Sequence, residues 1–224
     1  MERTSQVNSV FLNGAVRSCD ILSRDGGVTV ASVLLYTLRP KPDAPPKVTS
    51  VEQCEQTAHR VRLVGKGGDA SRIEELAQVC SRPFDAHERV YDFRGVLKEK
   101  DGNNYVECAA DGFSRSNVLE IANNNEAHMV GTVVATTHSD RFATVLVDAG
   151  GTTVRAQFAK DAFKDAWDSV ARGKVKKGST VSLKGPMDTG FITEGTKRLF
   201  RVSLAPVTME NIRLTQRKAA GPAL

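Results

Sequence analysis

No apolar run in this 224-residue chain approaches the roughly 20 residues that a membrane-spanning helix needs, so a membrane partner is not expected. Met1 to Asn8 holds no apolar segment of secretory type, and Glu2 speaks against an intact transit peptide. Paired cysteines are missing too. Cys19, Cys54, Cys80 and Cys108 lie far apart, which argues against a zinc site or a disulfide framework and for reduced intracellular thiols. The histidines His59, His87, His128 and His138 are as scattered, and no metal or cofactor is expected. A glycine-rich phosphate loop and a nucleophile elbow are also lacking. Acidic pairs such as Glu74-Glu75 point apart on a helix, so no enzyme is expected.

What the chain does have is a modest basic excess, net charge +5, which favours a polyanionic partner. Arg60 to Lys66 alternates: Val61, Leu63 and Gly65 fall on one face, and Arg60, Arg62, Val64 and Lys66 on the other. Asp69 to Val79 suits a short amphipathic helix, with Asp69 placed to cap it. Glu88 to Leu97, a turn at Asp101-Gly102 and Tyr105 to Ala109 then form a hairpin. Upstream, Ser9 to Val16 and Val28 to Leu38 read as two strands around Arg24-Asp25-Gly26-Gly27, with Gly14 allowing the bend of a small barrel. Between Arg39 and Thr57 the prolines Pro40, Pro42, Pro45 and Pro46 are expected to end the sheet.

The same order of signals begins again after Asn123. Met129 to Val134 carries Gly131 in the role of Gly14, followed by Arg141 to Val147, Val154 to Lys160, a helix over Asp161 to Ala171, and strands at Gly178 to Gly185 and Leu199 to Leu204. The expected fold class is all-β with short helices: two tandem five-stranded Greek-key barrels of the oligonucleotide-binding (OB-fold) kind. Residues 8–122 form the first, with a proline-rich insertion at 39–57, residues 127–212 the second, and 213–224 a disordered basic tail.

His59-Arg-Val-Arg-Leu-Val-Gly-Lys66, Val90-Tyr-Asp-Phe-Arg-Gly95 and Gly102-Asn-Asn-Tyr-Val-Glu107 resemble the single-stranded DNA-binding proteins of bacteria and mitochondria. The resemblance implies single-stranded nucleic-acid binding in replication, repair or organellar maintenance, with DNA favoured over RNA. It also implies assembly of barrels side by side, here a dimer of tandem barrels, inside a mitochondrion or a bacterial cytoplasm or nucleoid. The family usually ends in an acidic tip that recruits other enzymes; this chain has none. The alternative is an OB-fold structural or interaction subunit of an RNA-processing or ribosome-assembly complex.

Unpaired strands are held by cations that follow the phosphates and by flat side chains that stack on bases. The candidates are Arg60, Arg62, Lys66, Arg94 and Lys98 in the first copy and Arg155, Lys160, Lys184 and Arg201 in the second. Lys100, Lys197 and Arg198 stand behind them. The resemblance adds Phe158 as a stacking residue, matched by Val64 in the first copy, while Ala58 and Gly102 replace expected tryptophans. Displaced aromatic contacts would fall to Tyr36, Phe93, Tyr105, Phe142, Phe191 and Phe200, of which Phe93 and Phe142 read as core. Trp167 reads as a plug at the base of the second barrel.

Overall fold

The computed structural model describes residues 6–41, 51–85, 88–120, 124–194, 197–204 and 208–211. The chain divides into two compact units, Val10–Glu126 with Thr189–Arg201, and Met1–Ser9 with Ala127–Asp188 and Val202–Leu224. Among the described residues no helix is long and apolar enough to cross a membrane. The tail at 213–224 and Pro42, Pro45 and Pro46 lie outside the described residues.

In the first unit, β1 (Val7–Asp25) turns into β2 (Val28–Pro40), and β3 (Cys54–Lys66) runs antiparallel to β2. The β1–β2 turn places Gly26 and Gly27 at φ 56 and 76, the paired positive angles of a tight hairpin that glycine adopts without steric cost. Helix α1 (Gly68–Cys80) follows, then β4 (Val90–Lys100), β5 (Asn103–Ala109) and the short β6 (Phe113–Arg115). β3 pairs parallel with β5, β5 antiparallel with β4, and β4 antiparallel with β1 from Val10↔Gly95 to Ala15↔Val90. The ring β1–β2–β3–β5–β4–β1 is closed, as a five-stranded OB barrel requires.

Alternation decides which side is wet. Val61, Leu63 and Gly65 are buried, whereas Arg60 and Lys66 are exposed and Arg62 and Val64 half-buried, as the period of two demands. Leu12, Leu35, Leu63, Phe93 and Leu97 fill the interior, and Ile73 and Leu76 of α1 close one end. Phe93 stacks on Phe113 at 5.9 Å. A buried polar network straps the segment after β6 to the barrel: Asn13 Nδ2 donates to Asp92 Oδ1 at 2.7 Å and Asn13 Oδ1 accepts from Glu120 N at 2.8 Å.

Two local expectations are corrected. Asp69 makes no cap: α1 starts one residue earlier, with Gly67 at the cap position, and Asp69 sits in the first turn 3.7 Å from Arg72. The sheet also continues further into the proline-rich stretch, through Arg39↔Glu55 to Pro40↔Cys54. Pro40 is tolerated because the next bond across this strand pair is made by Lys41 N, which donates to Gln53 O at 2.9 Å, so the missing N–H of Pro40 interrupts no ladder bond.

The second unit repeats the scheme. β7 (Asn125–His138) pairs with β8 (Phe142–Asp148), β8 with β9 (Thr153–Ala159), and β9 runs parallel to β12 (Lys197–Leu204) at Ser203↔Arg155 and Leu204↔Ala156. β10 (Thr180–Gly185) pairs with β7 as β4 pairs with β1, and β13 (Thr208–Asn211) pairs with β10 as β6 pairs with β4. β11 (Met187–Glu194) links β10 to β12. A Cβ at Gly131 would collide with the Asp148 carbonyl oxygen, and one at Gly14 with the Tyr36 carbonyl oxygen. Both first strands thus need glycine where the backbone of the next strand crosses. Helix α2 (Lys164–Ala171) is shorter than the expected Asp161–Ala171 and buries Val170. Trp167 is not the plug; it is half-buried.

Candidate nucleic-acid interface

The outward face of β2, β3 and β5 carries the cations of the first barrel. Along β3 the outward positions read Arg60, Arg62, Val64, Lys66, set against Leu34, Ser32, Val30 and Val28 of β2. Leu22, Ser32, Arg60, Arg62, Lys100, Asn103 and Tyr105 line a groove of ≈ 390 Å³ on this face. Lys98 stands opposite Tyr105 on β4. Four of the expected cations, Arg60, Arg62, Lys66 and Lys98, therefore share one wall with a tyrosine.

Arg62 is the most constrained of them. Its Nε is shielded from solvent and meets no hydrogen-bond acceptor among the described residues. A shielded guanidinium donor without an acceptor is costly, and a phosphate oxygen or a base edge reaching into the groove would relieve that cost. Glu107 is the β5 residue in register with Arg62, and Asp20 of β1 is in register with Ser32, so the wall is not uniformly positive.

Arg60 is engaged differently. Its guanidinium lies 5.0 Å over the ring of Phe200, whose N–H donates to Asn103 Oδ1 at 2.9 Å. Arg201 reaches Glu99 at 3.2 Å, and Thr189 Oγ1 donates to the Ala58 carbonyl. Thr189–Arg201 belongs to the same compact unit as the first barrel. Arg201, expected among the cations of the second copy, instead neutralises a carboxylate in the unit of the first. The strand pattern cannot reveal this, because nothing in the sequence of a strand says which surface its side chains will meet.

Arg94 stands apart. It faces Phe11 across the β1–β4 pair, its guanidinium 5.7 Å from that ring. Lys184 has the corresponding place in the second barrel, exposed on β10 opposite His128 of β7. Both are cations of the opposite wall.

In the second barrel the outward positions of β8 and β9 pair as Phe142↔Ala159, Thr144↔Gln157 and Leu146↔Arg155. Arg155 is exposed on this face, as expected. Phe158 is not. It is fully buried and packs edge-on against Phe163 at 6.2 Å, because its strand position falls in the inward phase with Val154 and Ala156. No base can stack there without opening the core. Among the described residues of the second barrel the exposed phenylalanine is Phe142, with 44% of its surface accessible, which reverses the core reading of that residue. Lys160 is half-buried, its Nζ 4.2 Å over the Trp167 ring. Tyr36 is half-buried opposite Ala58, Phe200 is buried, and the side chains of Phe191, Lys197 and Arg198 lie outside the described residues.

Beneath the wall, His59 is buried with Nε2 2.9 Å from Thr37 Oγ1, and burial pushes its pKa down to about 3. It is a neutral core group, not a phosphate contact. None of the four cysteines is in a disulfide. Burial pushes the Cys19 thiol up to about 12 and the Cys108 thiol up to about 11, so neither is a thiolate near neutrality.

No family model matches the sequence, and no curated protein does. Solved structures do. The single-stranded DNA-binding protein of Thermus aquaticus is 18% identical, covers 99% of this chain over 97% of its own, and superposes with a TM-score of 0.58. A deletion variant of that protein covers 93% of this chain over 96% of its own, at 18% identity and a TM-score of 0.57. The fold is therefore that of two OB barrels in tandem, shared with the Thermus aquaticus protein. At this identity the fold is common and most side chains are not.

Proposed function

We propose that this chain binds single-stranded DNA without marked sequence preference, as a non-enzymatic protein inside the cell. The observation that carries the reading is the groove of the first barrel, where Arg60, Arg62 and Lys100 line the same surface as Tyr105 and Arg62 Nε has no acceptor among the described residues. OB barrels take oligonucleotides on that face. A flat ring among cations is what an unpaired strand requires: the ring stacks on a base while the cations meet phosphates. The whole-length likeness of the backbone to a single-stranded DNA-binding protein supports the same reading.

The binding units correspond to residues 8–122 and 127–212, and the contact set comprises Arg60, Arg62, Lys66, Lys98 and Arg155, with Tyr105 as the stacking residue. Arg94, Lys184 and Arg201 are peripheral. The protein acts as a homo-oligomer of tandem barrels, which light scattering of the purified chain checks.

Fluorescence anisotropy with a labelled thymidine oligonucleotide tests the proposal. If about five cations meet phosphates, raising salt from about 50 to 200 mM weakens binding on the order of a hundredfold. Affinity poorer than about 10⁻⁴ M at low salt, or affinity indifferent to salt, overturns it. Competition by matched RNA decides between DNA and RNA, since the 2′-hydroxyl is the group that separates them.

A further inference from the structure

The one tryptophan of the chain lies outside both the core and the face just described. Trp167 sits half-buried on the eight-residue helix α2, and its Nε1 donates to the carbonyl of Ser139 at 3.0 Å. Ser139 belongs to the β7–β8 turn, which is itself clamped: Ser139 N donates to Phe142 O at 2.8 Å, and Phe142 N to Ser139 Oγ at 3.2 Å. Lys160 N donates to Arg141 O at 2.8 Å, which ties the end of β9 to the same turn. The His138 ring meets the indole edge-on at 6.1 Å, and the Lys160 ammonium lies over its face. Next to these, Phe142 is 44% exposed. Two flat rings, a histidine and an ammonium are thus carried by one end of the second barrel, on a turn held by these bonds.

An indole held at a protein surface is not explained by its polar group alone, because Nε1 is already satisfied within the chain. Charge narrows the choice of occupant. Asp140, Asp161 and Asp165 stand beside Arg141, Lys160 and Lys164 in the sequence of this end, so the local balance is neutral and does not by itself attract a phosphate chain. What the cluster offers is stacking surface. A base–aromatic stack outweighs an exposed cation–π contact, and a lysine stem gives way at little cost.

We propose that Trp167 and Phe142, flanked by His138 and Lys160, form a separate stacking site for an unpaired nucleobase at the β7–β8 turn and α2 end of the second barrel. This rests on the single-strand reading above and extends it beyond the β-sheet face. Because stacking dominates, the site contributes affinity with little salt dependence. A duplex, whose bases are already stacked, does not fill it.

The test uses the full chain and its single tryptophan as the reporter. During titration with a thymidine oligonucleotide of about 30 nucleotides, long enough to run along two OB folds, Trp167 emission is expected to fall in step with the rise in anisotropy. A matched duplex should leave the emission unchanged. Trp167→Ala is expected to weaken binding roughly 5- to 100-fold, the loss of one base stack, while leaving the slope against salt unaltered. Should thermal melting show that variant to be unfolded, Phe142→Ala, at an exposed position, carries the same expectation. Unchanged emission alongside rising anisotropy, equal quenching by the duplex, or unaltered affinity in the folded variants overturns the site and leaves the single-strand reading standing. An absence of binding by anisotropy removes both.

Discussion

The two barrels share a wall order and differ in what they show to solvent. The first keeps Tyr91, Phe93 and Phe113 inside and presents Arg60, Arg62 and Lys66 along β3. The second keeps Phe158 inside, presents Phe142 on β8, and has a single arginine, Arg155, on the matching stretch of β9. Inward residues must interlock at crystal-like density, so both copies retain the same apolar phase and the same glycine at the strand crossing. Outward residues bear no such constraint. One copy presents a row of cations along β3, and the other presents one phenylalanine and one arginine among polar and aliphatic residues.

That contrast of inside and outside is open to direct attack. The largest expected effect is in the second barrel. Phe158→Ala should cost about 3–5 kcal/mol in urea unfolding, as for other buried phenylalanines, while Phe142→Ala should stay within about 0.5 kcal/mol. Comparable losses from the two variants would show that the assignment of inner and outer aromatics is mistaken.

Acid should distinguish the barrels next. In the unfolded chain His59 titrates near its ordinary 6.5, whereas burial in the first barrel pushes it down to about 3. Between those values the unfolded state takes up a proton that the folded state refuses. Stability is therefore complete above pH 6.5 and declines toward pH 3, at up to about 1.4 kcal/mol per pH unit, or about 2 kcal/mol by pH 5. The second barrel has no buried histidine among its described residues, His128 being half-buried and His138 exposed. Replacing His59 with phenylalanine should flatten the pH dependence of thermal melting measured by circular dichroism. An unflattened profile would move the acid sensitivity elsewhere.

Smaller effects belong to binding. Arg62→Ala is expected to weaken single-strand affinity about tenfold and to reduce the slope against salt by about 0.7, the share of one phosphate contact. A variant with wild-type slope would mean that Arg62 meets no phosphate. Smallest of all, Arg94→Ala and Lys184→Ala should change affinity less than about twofold, since both stand on the β1–β4 and β7–β10 walls rather than on the grooved face. A tenfold loss in either would redraw the interface.

Much of this arrangement is legible before any coordinates. The phase of Arg60 to Lys66, the glycine pair at Gly26-Gly27, the hairpin at Asp101-Gly102 and the recurrence of Gly14 as Gly131 are all local patterns, and each forms as its residues dictate. The misreadings have physical causes of their own. Phe158 was placed outward by likeness to a family motif, but it sits two positions from Ala156 and four from Val154, in the buried phase of β9. Strand alternation reads Phe142 as core, but the phase is one residue off: its neighbour Ala143 occupies the inward position.

The sequence by itself determined the strand phases, the turns, the two helices and the duplication, because these depend on residues within a few positions of each other. Only the tertiary structure decided which cations share a wall, that Arg201 of β12 pairs with Glu99 of β4, and that Trp167 is tied to the β7–β8 turn. Those relations join residues tens of positions apart. They arise when the sheet closes on itself, a step that no local pattern encodes.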